Sequence, residues 1–150
     1  MRTYVMKISA KTEYACIAML ELASRYGSGE PVRIRKIAER HDVPPRFLVQ
    51  ILLQLKGAGL VASTRGAAGG YHLVRPPETV SLGEVMEVIE GSPSGGNGKT
   101  CSASPDSPAV KVLVKAWQDV TAVERQMLNA ISFAELLDRA KQQDGQMYYI

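Results

Sequence analysis

Apolar residues at helical spacing define the first two elements of the chain. The first set predicts a helix from about Ser9 to Arg25, with Ser9 as its N-cap. Its members are Ala15, Ala18, Met19, Leu22 and Ala23. A second, shorter set at Ile34, Ile37 and Ala38 predicts a helix that ends before residues 42–45, which form a turn.

The third helix begins at Pro44 and Pro45, where a missing backbone donor has no cost, and ends near Gly57. Its inner face is apolar and consists of Leu48, Ile51, Leu52 and Leu55. The opposite face carries Arg46, Phe47, Val49, Gln50, Leu53 and Gln54. In the major groove of DNA, a glutamine amide can form paired hydrogen bonds with adenine, and a guanidinium group can do so with guanine. We therefore predict that this face contacts DNA bases. The predicted DNA-binding residues of this helix are Arg46, Phe47, Gln50 and Gln54. The alternative is that the glutamines are ordinary exposed helix formers.

Beyond this helix the pattern alternates with a period of two, which predicts two strands over residues 60–64 and 71–74. A basic turn rich in glycine joins them, and a hairpin in this place completes a winged helix-turn-helix, a mainly α fold with a two-stranded β wing. Glycine lets backbone approach a phosphate chain, and a narrow minor groove favours guanidinium. The predicted contacts of the wing are Arg65, Gly66, Gly69, Gly70 and Tyr71. A solvated hairpin without a partner is the alternative, and Arg75 is either a phosphate contact or a structural cation.

The second half of the chain predicts a connecting helix and a long apolar helix. Ser81 and Glu84 form a capping-box pattern that opens a helix over residues 81–91. Residues 92–108 form a flexible loop of the sensor type, and an apolar stripe follows from about Ala109 to Ala130. A small winged helix of residues 1–80 cannot cover such a stripe, so we expect residues 109–150 to provide a dimerisation helix and a C-terminal segment. The residues expected at the dimer interface are Val110, Leu113, Val114, Trp117, Val120 and Leu128. Packing of the stripe within its own chain is the alternative.

Composition and charge narrow the function. The 150 residues suffice for one compact domain with an oligomerisation arm. Residues 1–77 hold 12 Lys/Arg against 5 Asp/Glu, whereas residues 78–150 hold 6 against 10, so only the first half suits a polyanion partner. The sequence lacks an apolar stretch of about 20 residues and a signal-peptide core, and it contains only two cysteines. We therefore expect a cytoplasmic protein.

Several motifs resemble those of the Rrf2 family of bacterial winged-helix transcription regulators. The matching segments are residues 8–15, 31–32, 37–40, 47–48, 55–61, 65–71, 75–77, 81–85 and 131–136. The family includes iron–sulfur cluster, nitric-oxide-sensing and cysteine-metabolism regulators. The resemblance implies a homodimer that is joined by the long helix and binds an imperfect palindrome in double-stranded DNA. We predict that it acts as a repressor.

The chain departs from the family in the cysteines with which some relatives sense their signal. Cluster-binding relatives carry three cysteines in the loop before the long helix, whereas this chain has only Cys101 there. We therefore expect no cofactor. The alternative is an atypical cluster or metal site built from Glu13, His41 and Cys101 across two subunits, because the first two match ligand positions of some relatives. Oxidation of Cys101, a small effector or a protein partner could equally be the signal.

The sequence does not predict an enzyme. It contains two histidines, no nucleophile motif beside a base, and no phosphate-binding glycine loop before a helix. A third class is a protein-interaction module whose basic face binds an acidic partner. Salt-dependent, sequence-selective binding to duplex DNA would distinguish the regulator from such a module.

Overall fold

The computed structural model describes residues 7–91 and 106–147 of the chain. These residues form a mainly helical fold with one two-stranded antiparallel sheet. The elements in chain order are α1 (Ala10–Ser24), α2 (Ile34–His41), α3 (Pro45–Gly57), β1 (Val61–Thr64), β2 (Gly70–Leu73), a 3-10 turn (Pro77–Thr79), α4 (Leu82–Glu90), α5 (Pro108–Ala130) and α6 (Phe133–Met147).

Local signals in the sequence account for the first three helices. Ser9 caps α1 by accepting a hydrogen bond from the Thr12 backbone at 3.2 Å. Asp42 ends α2 in the left-handed conformation, which the short side chain of aspartate tolerates. Pro45 occupies the first turn of α3, where it displaces no hydrogen bond. The predicted helix-turn-helix is therefore confirmed.

The hairpin after α3 has the expected order of strand, glycine turn and strand. Val61 pairs with Leu73 and Thr64 with Gly70, which leaves residues 65–69 as the loop at the tip. A third backbone segment joins the hairpin at Val32, because its N–H and carbonyl each pair with Tyr71 at 2.8 Å. This bridge anchors the wing to the chain before α2.

One apolar core joins the winged helix to the elements that follow residue 80. The buried faces of α1 and α3 pack against α4, and α6 returns to α1. Phe133, at the start of α6, is completely buried in this core. The prediction placed the edge of the DNA-binding domain after residue 80, whereas the observed core continues through α4 and α6.

Two backbone segments meet where α4 begins and α5 ends. Leu82 donates to the carbonyl of Ile131 at 2.8 Å, and Phe133 donates to the carbonyl of Val80 at 3.0 Å. Ser81 and Ser132 form an isolated antiparallel bridge between these bonds. This bridge, which we call the 80–133 junction, ties α5 directly to the winged helix. Among the described helices, none is long and apolar enough to cross a membrane.

Candidate nucleic-acid interface

The outer face of α3 presents the four predicted DNA-binding residues of this helix to solvent. Arg46, Phe47, Gln50 and Gln54 are all exposed, whereas the inner face of the helix is completely buried. The same face also carries Val49 and Leu53, which are 42% and 54% exposed. Single exposed aliphatic side chains are common on protein surfaces, so the case for a partner on this face depends on its polar and aromatic residues.

An aromatic pair shapes the N-terminal end of this face. The ring of Phe47 is stacked on the ring of Tyr14 from α1, with 6.1 Å between centroids and 26° between planes. The Arg46 guanidinium lies 5.0 Å from the centroid of the Phe47 ring, which is within the range of a cation–π interaction. These contacts hold Phe47 in place although 42% of the residue is exposed.

The wing places Arg65 at its tip, exposed to solvent. Gly66 follows with a φ of 108°, a conformation that L side chains rarely adopt, and its carbonyl accepts from Gly69 at 2.9 Å. Arg65 forms no hydrogen bond or ion pair within the described part of the chain, so its guanidinium can reach a partner.

Three predicted wing contacts have a role in packing. A methyl group at Gly70 would lie 2.5 Å from the Val32 carbonyl oxygen, so this position must remain glycine for the wing to dock on residue 32. Gly69 is buried at the base of the turn, where a side chain would collide with the backbone of Thr64. The backbone of Tyr71 is paired with Val32, and its ring is partly buried against the core. These three residues therefore shape the wing, and their contact with DNA stays a prediction.

Arg75 acts as a structural cation. It donates to both carboxylate oxygens of Glu84, at 2.7 and 3.0 Å, and to the carbonyl of Thr79. The capping-box pattern is correspondingly half formed: Ser81 accepts from the Glu84 backbone at 3.0 Å, while the Glu84 carboxylate binds Arg75. The ion pair fixes the segment that leads from the wing to α4.

Other basic residues, which the sequence pattern did not single out, lie on the surface of the same half of the chain. Arg33, Arg35 and Lys36 are exposed around the first turn of α2, and Lys11 is exposed on the first turn of α1. Lys56 extends from the end of α3 to the Ser63 hydroxyl on β1 at 2.9 Å. The sequence indicated these residues only through the net positive charge of residues 1–77, which does not show where on the surface each cation lies.

A buried carboxylate connects the first two helices. Glu21 on α1 is only 7% exposed, and its Oε1 accepts from Arg40 Nη1 at 2.9 Å and lies 3.0 Å from His41 Nε2. An ionised carboxylate is only an acceptor, so Nε2 of His41 carries the proton. Burial alone would raise the pKa of the Glu21 carboxyl, but the hydrogen bonds and charges of His41 and Arg40 outweigh it and hold this pKa below 4.5. The network fixes the end of α2 against α1.

The long helix α5 has no buried residue in the single chain. Its predicted interface residues lie in two groups: Val110, Val114 and Leu128 are half-buried, whereas Leu113, Trp117 and Val120 are exposed. Met127, a member of the predicted apolar stripe, shares the exposed side with Val112 and Val123, which the prediction omitted. The exposed group forms a continuous apolar face.

The residues suggested for a metal or cluster site do not meet within one chain. Glu13 is exposed on the first turn of α1, whereas His41 binds Glu21, eight residues further along that helix. Within residues 7–91 and 106–147 there is no group of three potential metal ligands, and Cys101 lies outside these residues. Burial and the nearby carboxylates of Glu90 and Glu13 raise the pKa of the Cys16 thiol to about 11, so it is protonated at neutral pH and unsuited to bind iron. The expectation of no cofactor and the suggested site across two subunits therefore both stay predictions.

The fold and this surface define a winged helix-turn-helix DNA-binding protein, and comparison with known proteins gives its family. The profile of the Rrf2 family, described as iron-dependent transcriptional regulators, matches residues 8–139. The chain is 32% identical over 146 residues to the HTH-type transcriptional regulator CymR of Bacillus subtilis, covering 97% of this chain and 100% of that protein. It is 34% identical over 134 residues to the regulator IscR of Sodalis glossinidius, covering 88% of this chain and 79% of that protein.

Solved structures agree with this assignment. The structure of CymR, the global cysteine regulator of B. subtilis, superposes with a TM-score of 0.76 at 29% identity, over 90% of this chain and 98% of that one. IscR of T. potens gives a TM-score of 0.75 at 32% identity, over 96% and 97% of the two chains. The chain belongs to the Rrf2 family, and it is a DNA-binding transcriptional regulator rather than an enzyme.

Proposed function

We propose that the protein is a cytoplasmic, homodimeric repressor that joins its subunits through α5 and binds an imperfect palindrome. Each subunit places α3 in the major groove and the tip of its wing at the minor groove. Occupation of a promoter by such a dimer excludes transcription from it. The exposed apolar face of α5 is the observation that carries this proposal.

The α5 face has the spacing of a helix–helix interface. Apolar residues recur at intervals of four and three through Leu113, Ala116, Val120, Val123 and Met127. The large members of this series are 50% to 64% exposed in the single chain, and Trp117 beside them is 58% exposed. A monomer rarely leaves so long an apolar stripe in water, whereas an isologous contact with a second α5 buries it. A second copy of the chain is therefore the partner that we assign to this face.

The charge distribution supports DNA as the other partner. Arg46 and Lys11 lie at the start of the reading face, and Arg65 lies at the tip of the wing. In a helix-turn-helix the first helix crosses the phosphate backbone, which gives Arg33 before α2, and Arg35 and Lys36 on α2, the role of phosphate contacts. Residues 1–77, which hold all of these cations, carry 12 Lys/Arg against 5 Asp/Glu, although Glu90 of the second half reaches the start of α1 and accepts a hydrogen bond from Ser9 at 3.2 Å.

The proposal is tested by charging the α5 face. The operator is first selected from a random duplex pool with the unaltered protein. Val120→Asp places a carboxylate in the middle of the interface, where an unpaired charge cannot be hydrated. We expect sedimentation to change from a dimer to a monomer, and operator affinity to fall by on the order of 100-fold because the two half-sites are no longer bound together.

Gln118→Asp is the matched control, since it adds the same charge to α5 at an exposed position about half a turn away from Val120. It should remain dimeric and bind as the unaltered protein does. A Val120→Asp protein that is still dimeric would contradict the α5 interface. Higher transcription from the operator-bearing promoter when the protein is added would contradict repression.

A further inference from the structure

A small groove lies between the first turns of α1 and α3, on the face that α3 presents to DNA. Its volume is about 260 Å³, and it is lined by Ala10, Lys11, Tyr14, Phe47 and Gln50. The two aromatic rings and Ala10 give it apolar walls, whereas Lys11 and Gln50 add one cation and one amide. Sequence reasoning assigned DNA contact to Phe47 and Gln50 but did not connect them to α1.

The chemistry of these walls describes what the groove accepts. The aromatic side suits a small apolar group, and Lys11 suits an anion. The amide of Gln50 can bind an acceptor and a donor that lie side by side. In the major groove the only apolar group is the C5-methyl of thymine, which lies near the phosphates of its own strand. The adenine opposite presents N7 as an acceptor and N6 as a donor, which matches a glutamine amide.

We infer that this groove reads one T·A base pair in each half-site. The ring of Phe47, supported by Tyr14, contacts the thymine methyl, Gln50 binds the adenine, and Lys11 contacts the adjoining phosphate. The inference rests on the proposed binding of α3 in the major groove and adds the identity of one base pair to it. Because stacking on Tyr14 and the Arg46 contact already fix the Phe47 ring, binding immobilises little further side-chain freedom.

The same methyl group occurs on 5-methylcytosine, but the opposite base distinguishes the two sources. Guanine presents two acceptors, N7 and O6, to the major groove, so one of them would face the carbonyl oxygen of a bidentate glutamine. An unpaired polar atom in a closed interface weakens binding. The groove is therefore assigned to thymine.

The test replaces each thymine of the selected operator, one at a time, with deoxyuridine, which removes the methyl group and keeps the base pair. Fluorescence anisotropy then measures the affinity. At one thymine in each half-site we expect uracil to lower the affinity of the unaltered protein about fourfold, as burial of one methyl group predicts. In Phe47→Ala the same replacement should change affinity by less than about 1.5-fold.

Two variants serve as controls on the uracil effect. Leu53→Ala removes another exposed apolar side chain from the same face but not from the groove, and it should retain the fourfold difference. Phe47→Tyr keeps the ring and should retain it too. With 5-iodouracil at the sensitive position of DNA bound to the unaltered protein, irradiation should form a cross-link at Phe47 or Tyr14, so this measurement does not depend on any variant folding.

The outcomes separate the inference from the proposed function. If the unaltered protein selects an operator but no uracil replacement changes its affinity, the groove does not read a methyl group and the inference is wrong. A uracil effect that persists in Phe47→Ala would also contradict the inference. Binding of a 5-methylcytosine·G pair as tight as T·A would overturn the assignment to thymine. Failure of the unaltered protein to select any operator would overturn the proposed function instead.

Discussion

Glu21 shows how a single buried charge positions the helix-turn-helix. Its Oε1 holds both Arg40 and His41, while Oε2 has no hydrogen-bond partner within the described residues. A buried carboxylate is costly unless it is paired, so the last turn of α2 must stay against α1 to satisfy it. Since α2 leads through a short turn into α3, this contact also sets where the reading helix begins.

The prediction for Glu21 is a change in the pH dependence of stability. The folded-state pKa of Glu21 lies below 4.5, so its contribution is complete above the unfolded-state value and is lost as pH falls through the folded-state value. Glu21→Gln should lower the free energy of unfolding at pH 7 by about 1 to 2 kcal/mol. It should also flatten the loss of stability below about pH 4.5, which is where carboxylates titrate. Urea titrations between pH 7 and pH 3 measure both effects.

Glu39→Gln is the control for this experiment, because Glu39 is an exposed carboxylate on the same helix as Arg40. It should leave both the stability at pH 7 and the loss of stability at acid pH nearly unchanged. If Glu21→Gln loses stability as steeply as the unaltered protein when the pH falls, other carboxylates cause that loss.

At the residue scale the sequence predicts local chemistry better than tertiary partners. Ser9 and Pro45 lie where caps and helix starts require them, because those roles depend on neighbours within a few residues. Glu21 was not predicted as part of a network, since its partners are 19 and 20 residues away. Gly70 was assigned to DNA because glycine suits a close approach, but the backbone that approaches it is that of Val32.

At the scale of elements, we expect one side chain, Arg65, to provide the contact of the wing with DNA. Arg65 is exposed at its tip, and the backbone bridge between Val32 and Tyr71 fixes the direction of the hairpin. We expect Arg65→Ala to weaken operator binding by about 1 to 3 kcal/mol in a fluorescence anisotropy titration, with little change in thermal stability.

Arg139→Ala removes the same charge from an exposed position on α6 and is the matched control. It should have the affinity of the unaltered protein, which would exclude an effect of net charge alone. If Arg65→Ala binds equally well at several salt concentrations, the wing does not contact DNA in the way that we propose.

The sequence predicted helix α5 but did not show which of its apolar residues face the rest of the chain and which face solvent. Apolar residues occupy so much of its circumference that the sequence shows one broad stripe, and only the tertiary structure separates the half-buried Val110, Val114 and Leu128 from the exposed side. Val112 and Val123 were omitted for that reason. Helical periodicity identifies that a helix is amphipathic, but which neighbour covers each face depends on tertiary structure.

At the scale of the whole molecule, the end of the chain completes the core that its beginning starts. Phe133 is completely buried among residues of the winged helix, although more than fifty residues separate it from β2. Sequence reasoning placed residues 109–150 outside that domain because a single aromatic residue after a long helix carries no periodic signal.

Phe133→Ala should lower the free energy of unfolding by about 3 to 5 kcal/mol, because it leaves a cavity in place of a completely buried ring. Phe133→Leu keeps much of the volume and should cost less than about 1.5 kcal/mol. Urea unfolding followed by circular dichroism at one fixed protein concentration gives both values. Two separate transitions, with only one of them shifted by Phe133→Ala, would show that α6 does not share the core of the winged helix.

The 80–133 junction has a consequence for the DNA as well as for the protein. Its hydrogen bonds tie the end of α5 to the domain that carries α3, so in a dimer joined by α5 the two reading helices keep one separation. Each base pair inserted between half-sites turns the second one by about 34° to 36° around the duplex axis. In the proposed dimer, α3 therefore selects the bases of each half-site, whereas the 80–133 junction sets the spacing between the half-sites.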